Sequence, residues 1–304
     1  MFNYYKQKNM STYINGNFLV SILSDGTKIR TTFYDKYAPS FAENCDVKIT
    51  DKCSQGCEFC YEGCTRNGLH SNLLKYQFLV DSLHPYTEFA INGNDLDTPN
   101  LEIFLGLLKD KKVFTNITVN QNQFLKNINY IKELQEKGLI HGIGVSLVKP
   151  TEELIEGLKS VSNTVLHTII GIVSEEDIEQ LKDKNIKILF LGYKELQRGI
   201  NYHKENSSLI TTNTNYLYNH IKELFNSFDV VSFDNLALEQ LKLNRIFSEN
   251  EWKHFYMGDD GEFTFYIDLV KGEFAKNSTS SKRYPINNLT IDEMFNIIKD
   301  ENNN

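Results

Sequence analysis

Nowhere in the 304 residues is there a run approaching the roughly 20 apolar residues that a membrane helix needs. The opening MFNYYKQKNM also lacks the apolar stretch of a signal peptide, so a cytoplasmic location is the expectation. An excess of basic residues is missing too. Lys and Arg total 32 against 40 Asp and Glu, a formal charge of -8, and no global field gathers phosphate backbones. A nucleic acid partner is therefore disfavoured. No Gly-Pro-Ser linker, fixed-period repeat, Gly-rich phosphate loop, Ser-His-Asp order or HExxH occurs. Cysteine is absent from the last 240 residues, because all five (Cys45, Cys53, Cys57, Cys60 and Cys64) lie within a 20-residue stretch. A disulfide scaffold would be spread through a shorter secreted chain, whereas clustered thiols point to a metal.

What is present suffices for one substantial core, since 40% of the residues are hydrophobic. Residues 1–42 read as a β-hairpin extension, with strands at 12–23 and 27–34 around a Ser24-Asp25-Gly26 turn. From about residue 43 short apolar strands alternate with amphipathic helices. Strands are expected at 46–50, 88–92, 117–120, 142–147, 165–173 and 186–192. Between them, Ile128, Ile131 and Leu134 precede a stop at Gly138, and Ser174 with Asp177 forms a capping box. Such alternation implies a parallel sheet, either an open doubly wound one or a full or partial barrel. Beyond residue 199 the expected elements are a helix at 213–228, a strand at 230–233, a hairpin of 262–268 with 273–276, and a helix at 291–299. The expected division is a core over 43–199, with 200–304 completing it and forming an α+β cap without a second cluster domain.

Cys53, Cys57 and Cys60 stand at CxxxCxxC spacing in the loop after the first strand of the repeat. Three thiolates from one short loop suit three irons of a cubane cluster and leave the fourth iron open to a small chelating molecule. A structural zinc site using Cys64, or a cluster serving only electron transfer, are the alternatives. Cys45 and Cys64 themselves read as packing residues.

The spacing, with Phe59 just before the third cysteine, resembles the signature of the radical S-adenosylmethionine superfamily. The resemblance extends over about residues 43–195, and it implies a partial (βα)6 barrel holding one 4Fe-4S cluster on Cys53, Cys57 and Cys60. It further implies that S-adenosylmethionine chelates the open iron, is cleaved reductively to a 5′-deoxyadenosyl radical, and that the radical takes hydrogen from a substrate. An electron donor such as flavodoxin or ferredoxin is then required.

Within the resemblance, Gly93, Asn94 and Asp95 stand where the family's Gly-Gly-Glu-Pro segment binds the methionine amino group, with the glutamate place altered. Ser146 matches the ribose contact, and Gly171 and Gly192 the adenine edges, while His167 reads as a histidine of the core or barrel interior. Lys194 and Arg198 either hold a substrate carboxylate or phosphate or face water, and Asp234 either contacts substrate or caps a helix. The substrate class stays open between a peptide and a small metabolite, and so does the reaction class among oxidoreductase, transferase and lyase. The altered 92–95 segment motivates a rival reading, a cluster- and S-adenosylmethionine-binding protein without turnover.

Overall fold

A computed structural model describes residues 9–24, 26–94 and 96–303. The first of the expected elements is corrected. Three antiparallel strands, β1 (Asn9–Asn15), β2 (Phe18–Leu23) and β3 (Lys28–Thr31), replace the two-stranded hairpin. The run read as one strand is broken at Gly16-Asn17, the two-residue loop between the paired Asn15 and Phe18. Gly16 has φ +59, and a Cβ on it would lie 1.8 Å from the Ala38 carbonyl oxygen. Buried Asn15 fixes the same corner, accepting from the Ser40 and Phe41 N–H groups at 2.8 and 3.2 Å and donating to the Phe41 carbonyl at 2.9 Å. Phe18, Val20 and Ile22 then seal against Phe263.

All six strands of the expected repeat are present. They are β4 (Asn44–Lys48), β5 (Glu88–Asn94), β6 (Phe114–Asn120), β7 (Gly142–Ser146), β8 (Thr164–Ile169) and β9 (Lys187–Leu191). β8 stops short of residue 173 because Gly171, at φ +81, turns the chain and the Ile172 and Val173 N–H groups both donate to the Ile169 carbonyl. β10 (Val230–Phe233) continues the parallel order beside β9, and β11 (Thr264–Asp268) joins the opposite side of β4, also parallel. β12 (Glu273–Ala275) and β13 (Tyr284–Pro285) add antiparallel pairs to β11. The result is a ten-stranded sheet in the order β10-β9-β8-β7-β6-β5-β4-β11-β12-β13, not closed on itself.

The helices are α1 (Gln77–Asp81), α2 (Leu101–Asp110), α3 (Gln121–Lys126), α4 (Ile128–Glu136), α5 (Glu152–Ser160), α6 (Glu175–Leu181), α7 (Arg198–Ser227), α8 (Asn235–Gln240), α9 (Glu249–Phe255) and α10 (Ile291–Asn303). The Ser174–Asp177 capping box of α6 is present. α7 begins at Arg198 rather than 213, with non-helical dihedrals at Asn206 (φ -123, ψ 21). Its Asn-, Ser- and Thr-rich middle has weak helix propensity. The Thr211, Thr212 and Thr214 hydroxyls are satisfied by carbonyls one turn back, at 2.7–3.0 Å.

Strand alternation gives this sheet two unlike faces. Cys45, Val47, Phe89, Ile91, Ile117, Val145, Leu166, Ile188, Phe190 and Ile267 are buried in one continuous core with α2, α4, α5, α6 and α10. The residues between them, including Asp46, Lys48, Thr118, Asn120, Ser146, His167, Tyr266 and Asp268, form a polar face. Register aligns Asn120, Ser146 and His167 across β6, β7 and β8, and Lys48 with Asp268 across β4 and β11.

Replacing Gly16 by Ala is expected to lower stability by about 2 kcal/mol, since positive φ and a backbone clash act together. Gly26→Ala, where φ is +90 but no atom lies within 4 Å of the added Cβ, should cost less. Denaturant midpoints of the two variants check this ordering.

Candidate functional site at the end of the first parallel strand

The cysteine loop leaves the carboxyl end of β4 and is closed by its own backbone. The Cys53 N–H donates to the Thr65 carbonyl at 2.9 Å, and the Thr65 N–H returns to the Asp51 carbonyl at 3.0 Å. Glycine is required at the crossing, because a Cβ on Gly68 would sit 2.0 Å from the Asp51 oxygen. Cys53, Cys57 and Cys60 are half-buried, whereas Cys45 and Cys64 are buried. Cys45 lies in β4 and faces the core, as expected of a packing residue.

The sulfurs share one electrostatic neighbourhood. Burial pushes the Cys57 thiol up, and the Cys60 and Cys53 sulfurs add to the effect. Cys60 is pulled down to about 5, first by a hydrogen bond with the Cys64 thiol and then, against burial, by the backbone N–H groups of Cys64 and Glu62 and by Arg198. Cys64 thus touches a candidate ligand, although its spacing places it outside the motif. Among the described residues no three His, Cys, Asp or Glu side chains converge on a point that would hold a single metal ion.

Arg198, offered by the sequence as a substrate cation, turns instead to this loop. Its Nε donates to the Cys57 carbonyl at 2.9 Å and its Nη2 to the Cys64 carbonyl at 3.0 Å. Gly199 permits the approach, since a Cβ there would lie 2.5 Å from the Lys194 oxygen and 3.4 Å from the Phe59 oxygen. Phe59 meets Tyr202 of α7 edge to face, with ring centroids 5.7 Å apart. On the other flank Asn120, at the end of β6, caps α3 and places its Nδ2 4.0 Å from Cys53 Sγ.

A buried lysine beneath the loop escaped the sequence reading. Lys48 reaches Asp51 at 2.5 Å, Glu62 at 2.6 Å and Asp268 at 3.8 Å. Burial opposes its charge, but Glu62, Asp51 and Asp268 overcome that and raise its pKa. The available signal was alternate polar residues, Asn44, Asp46 and Lys48, on a strand of a βα repeat.

Gly93 and Asn94 end β5, where pairing with β6 slips between Asn92 and Asn94 in a local bulge. Asp95 lies outside the described residues. The loop beyond returns to the cysteine loop through Lys52–Asp97 at 2.8 Å, and His70 Nδ1 sits 3.0 Å from Thr50 Oγ1 and 3.2 Å from Thr98 Oγ1. Ser146 stands half-buried at the end of β7 on the polar face. His167 shares that face, its ring over Gly144, where a Cβ would approach within 2.4 Å. Burial pulls its pKa down to about 4.

Gly171 and Gly192 are tied to helices. The Gly171 carbonyl accepts from Asn213 at 3.0 Å, and a Cβ would meet Ile210 at 2.6 Å. The Gly192 N–H donates to Asp234 at 2.9 Å beneath Leu236, and Asp234 also accepts from the Ala237 N–H as the cap of α8. Lys194 and Asp234 both act on Asp46 of the polar face, and burial raises Asp234 against the pull of Lys194. The Lys194 Nζ lies 4.3 Å from the Tyr61 ring centre and 3.1 Å from Ser278 Oγ, and it opposes the burial that raises Asp46. Asp46 is exposed to water at the end of this contact set.

Fold and site together define an α/β protein whose large parallel sheet carries a three-cysteine loop over a polar face. Solved structures with a similar fold are those of Streptococcus suis SuiB. SuiB bound to S-adenosylmethionine matches with TM-score 0.57 and 12% identity, covering 91% of this chain and 85% of that one. SuiB alone matches with TM-score 0.52 and 12% identity, covering 88% and 82%. SuiB bound to precursor peptide SuiA matches with TM-score 0.51 and 15% identity, covering 78% and 60%. No protein-family model matches the chain, and no curated protein does. No helix among the described residues is long and apolar enough to cross a membrane.

Lys48→Met leaves three carboxylates without their cation and should destabilise the fold by about 3 kcal/mol or more, read from denaturant unfolding. His167 gives a pH dependence of known sign. Its folded pKa of about 4 lies below the ordinary 6.5, so the unfolded chain binds more protons between these values. Stability should therefore fall as pH drops from 6.5 towards 4, and thermal melts of His167→Gln should show a shallower fall.

Proposed function

We propose that the chain is a radical S-adenosylmethionine enzyme whose Cys53, Cys57 and Cys60 hold one 4Fe-4S cluster. The supporting observation is the position of the CxxxCxxC loop, at the carboxyl end of β4 beside the polar face, in a fold similar to that of S-adenosylmethionine-bound SuiB. Ligands of parallel α/β sheets bind at that end of the strands. In this reading the sheet curves into a partial (βα)6 barrel with its polar face inward, residues 43–199 forming the core and 200–304 completing and capping it. The cluster, once bound, supplies the electron that cleaves S-adenosylmethionine to the 5′-deoxyadenosyl radical.

The chain's own residues have distinct tasks. Arg198 fixes the loop carbonyls on either side of the third cysteine, and Lys48 neutralises Glu62 at the loop's base. Ser146 offers a hydroxyl to the ribose. Phe59 and the end of β5 at Gly93 and Asn94 take the methionyl part, a task the resemblance extends to Asp95, while Gly171 and Gly192 shape the adenine side through the helices they hold. Lys194 and Asp46 face the substrate. SuiB's complex with a precursor peptide favours a peptide over a small metabolite. Flavodoxin or ferredoxin is the reductant in this reading.

Anaerobic reconstitution should load one cluster's complement of iron and sulfide, and dithionite with S-adenosylmethionine should then release 5′-deoxyadenosine. Cys57→Ala should lose both. An assembled cluster that yields no 5′-deoxyadenosine would establish the rival reading of binding without turnover.

A further inference from the structure

At the end of the sheet opposite the cysteine loop, a cleft of about 350 Å³ opens between the amino-terminal ends of β5, β6 and β7 and the strand β1. We infer that this cleft binds a flat aromatic ring carrying a phosphate, as in a nucleotide. Its lining is rich in donors and, among the described residues, holds no carboxylate: Ser11, Lys109, Lys112 and His141 surround it, with Tyr86 and Phe114 as walls. The Ser11 hydroxyl is buried and has no hydrogen-bond partner among the described residues, a cost that a bound acceptor would remove. The His141 Nδ1 accepts from the Thr115 N–H at 3.3 Å, which leaves Nε2 to carry a proton as a neutral donor. Lys109 uses one ammonium hydrogen on the Lys137 carbonyl at 2.7 Å and keeps two. Together these groups match an anion with several acceptor oxygens better than a single carboxylate.

The walls account for the ring. Tyr86 and Phe114, both half-buried on the cleft, have centroids 6.0 Å apart, and Phe114 meets the His141 ring at 4.9 Å. Two of the nine positive-φ residues other than glycine among the described residues meet at the cleft. Tyr86 has φ 69 and Lys112 φ 58, and the two are joined by a Tyr86 N–H to Lys112 carbonyl bond of 2.9 Å. A tyrosine held in the left-handed region is uncommon, and such strain gathers at ligand clamps. The site lies away from the cysteine loop, so its occupancy is independent of the cluster chemistry proposed above.

Titrating the full chain with adenosine 5′-monophosphate in a calorimeter tests the inference without reading enzyme activity. Saturable binding is expected, weakened about tenfold or more by Lys112→Glu and severalfold by Ser11→Ala, both checked for native circular dichroism. Adenosine and inorganic phosphate should each bind more weakly than the nucleotide. The inference is overturned by an absence of saturable binding, by binding that Lys112→Glu leaves unchanged, by displacement with S-adenosylmethionine, or by inorganic phosphate binding as tightly as the nucleotide.

Discussion

The buried ammonium of Lys48 is the constraint on which the site depends. It sits on β4, with 3% of its side chain exposed, and joins three segments: the loop base at Asp51, the cysteine segment at Glu62 and the end of β11 at Asp268. A charge taken out of water is tolerable only when paired at close range. This requirement fixes the loop over the end of β4 and holds β11 in parallel register with β4. The cysteines therefore rest on a braced platform.

A second brace acts from above. Arg198 opens α7 and spends its guanidinium on two loop carbonyls, so the segment of α7 before its kink at Asn206 begins at the site. The same helix packs Ile210 and Asn213 on Gly171, and α8 packs Leu236 on Gly192. Glycine at these strand ends serves close packing of helices on the sheet. The polar face is thereby held between the cysteine loop on one flank and the Lys194–Tyr61–Ser278 contacts on the other.

Much of the fold was legible locally. Apolar alternation located every strand of the repeat, and capping chemistry placed the start of α6, because each depends on residues within a few positions of one another. Two local signals were outweighed. The Gly16-Asn17 turn lay inside a run of strand-forming residues, and the polar middle of α7 concealed a helix that tertiary packing and threonine back-bonding sustain. In the site, the CxxxCxxC spacing drew attention to the correct loop. It carried no sign of Cys64's contact with Cys60 or of Asn120's approach to Cys53.

The order of the chain alone settled the thiol-bearing loop, the alternating α/β plan and the unlike faces of each strand, since all three follow from short-range spacing and side-chain period. Only the tertiary structure decided that Lys48 answers Asp268, that Arg198 serves the loop, and that β11 returns beside β4. These are pairings between residues distant in sequence. Their selection rests on burial and on the need to satisfy each buried charge and carbonyl, neither of which is expressed until the sheet has assembled.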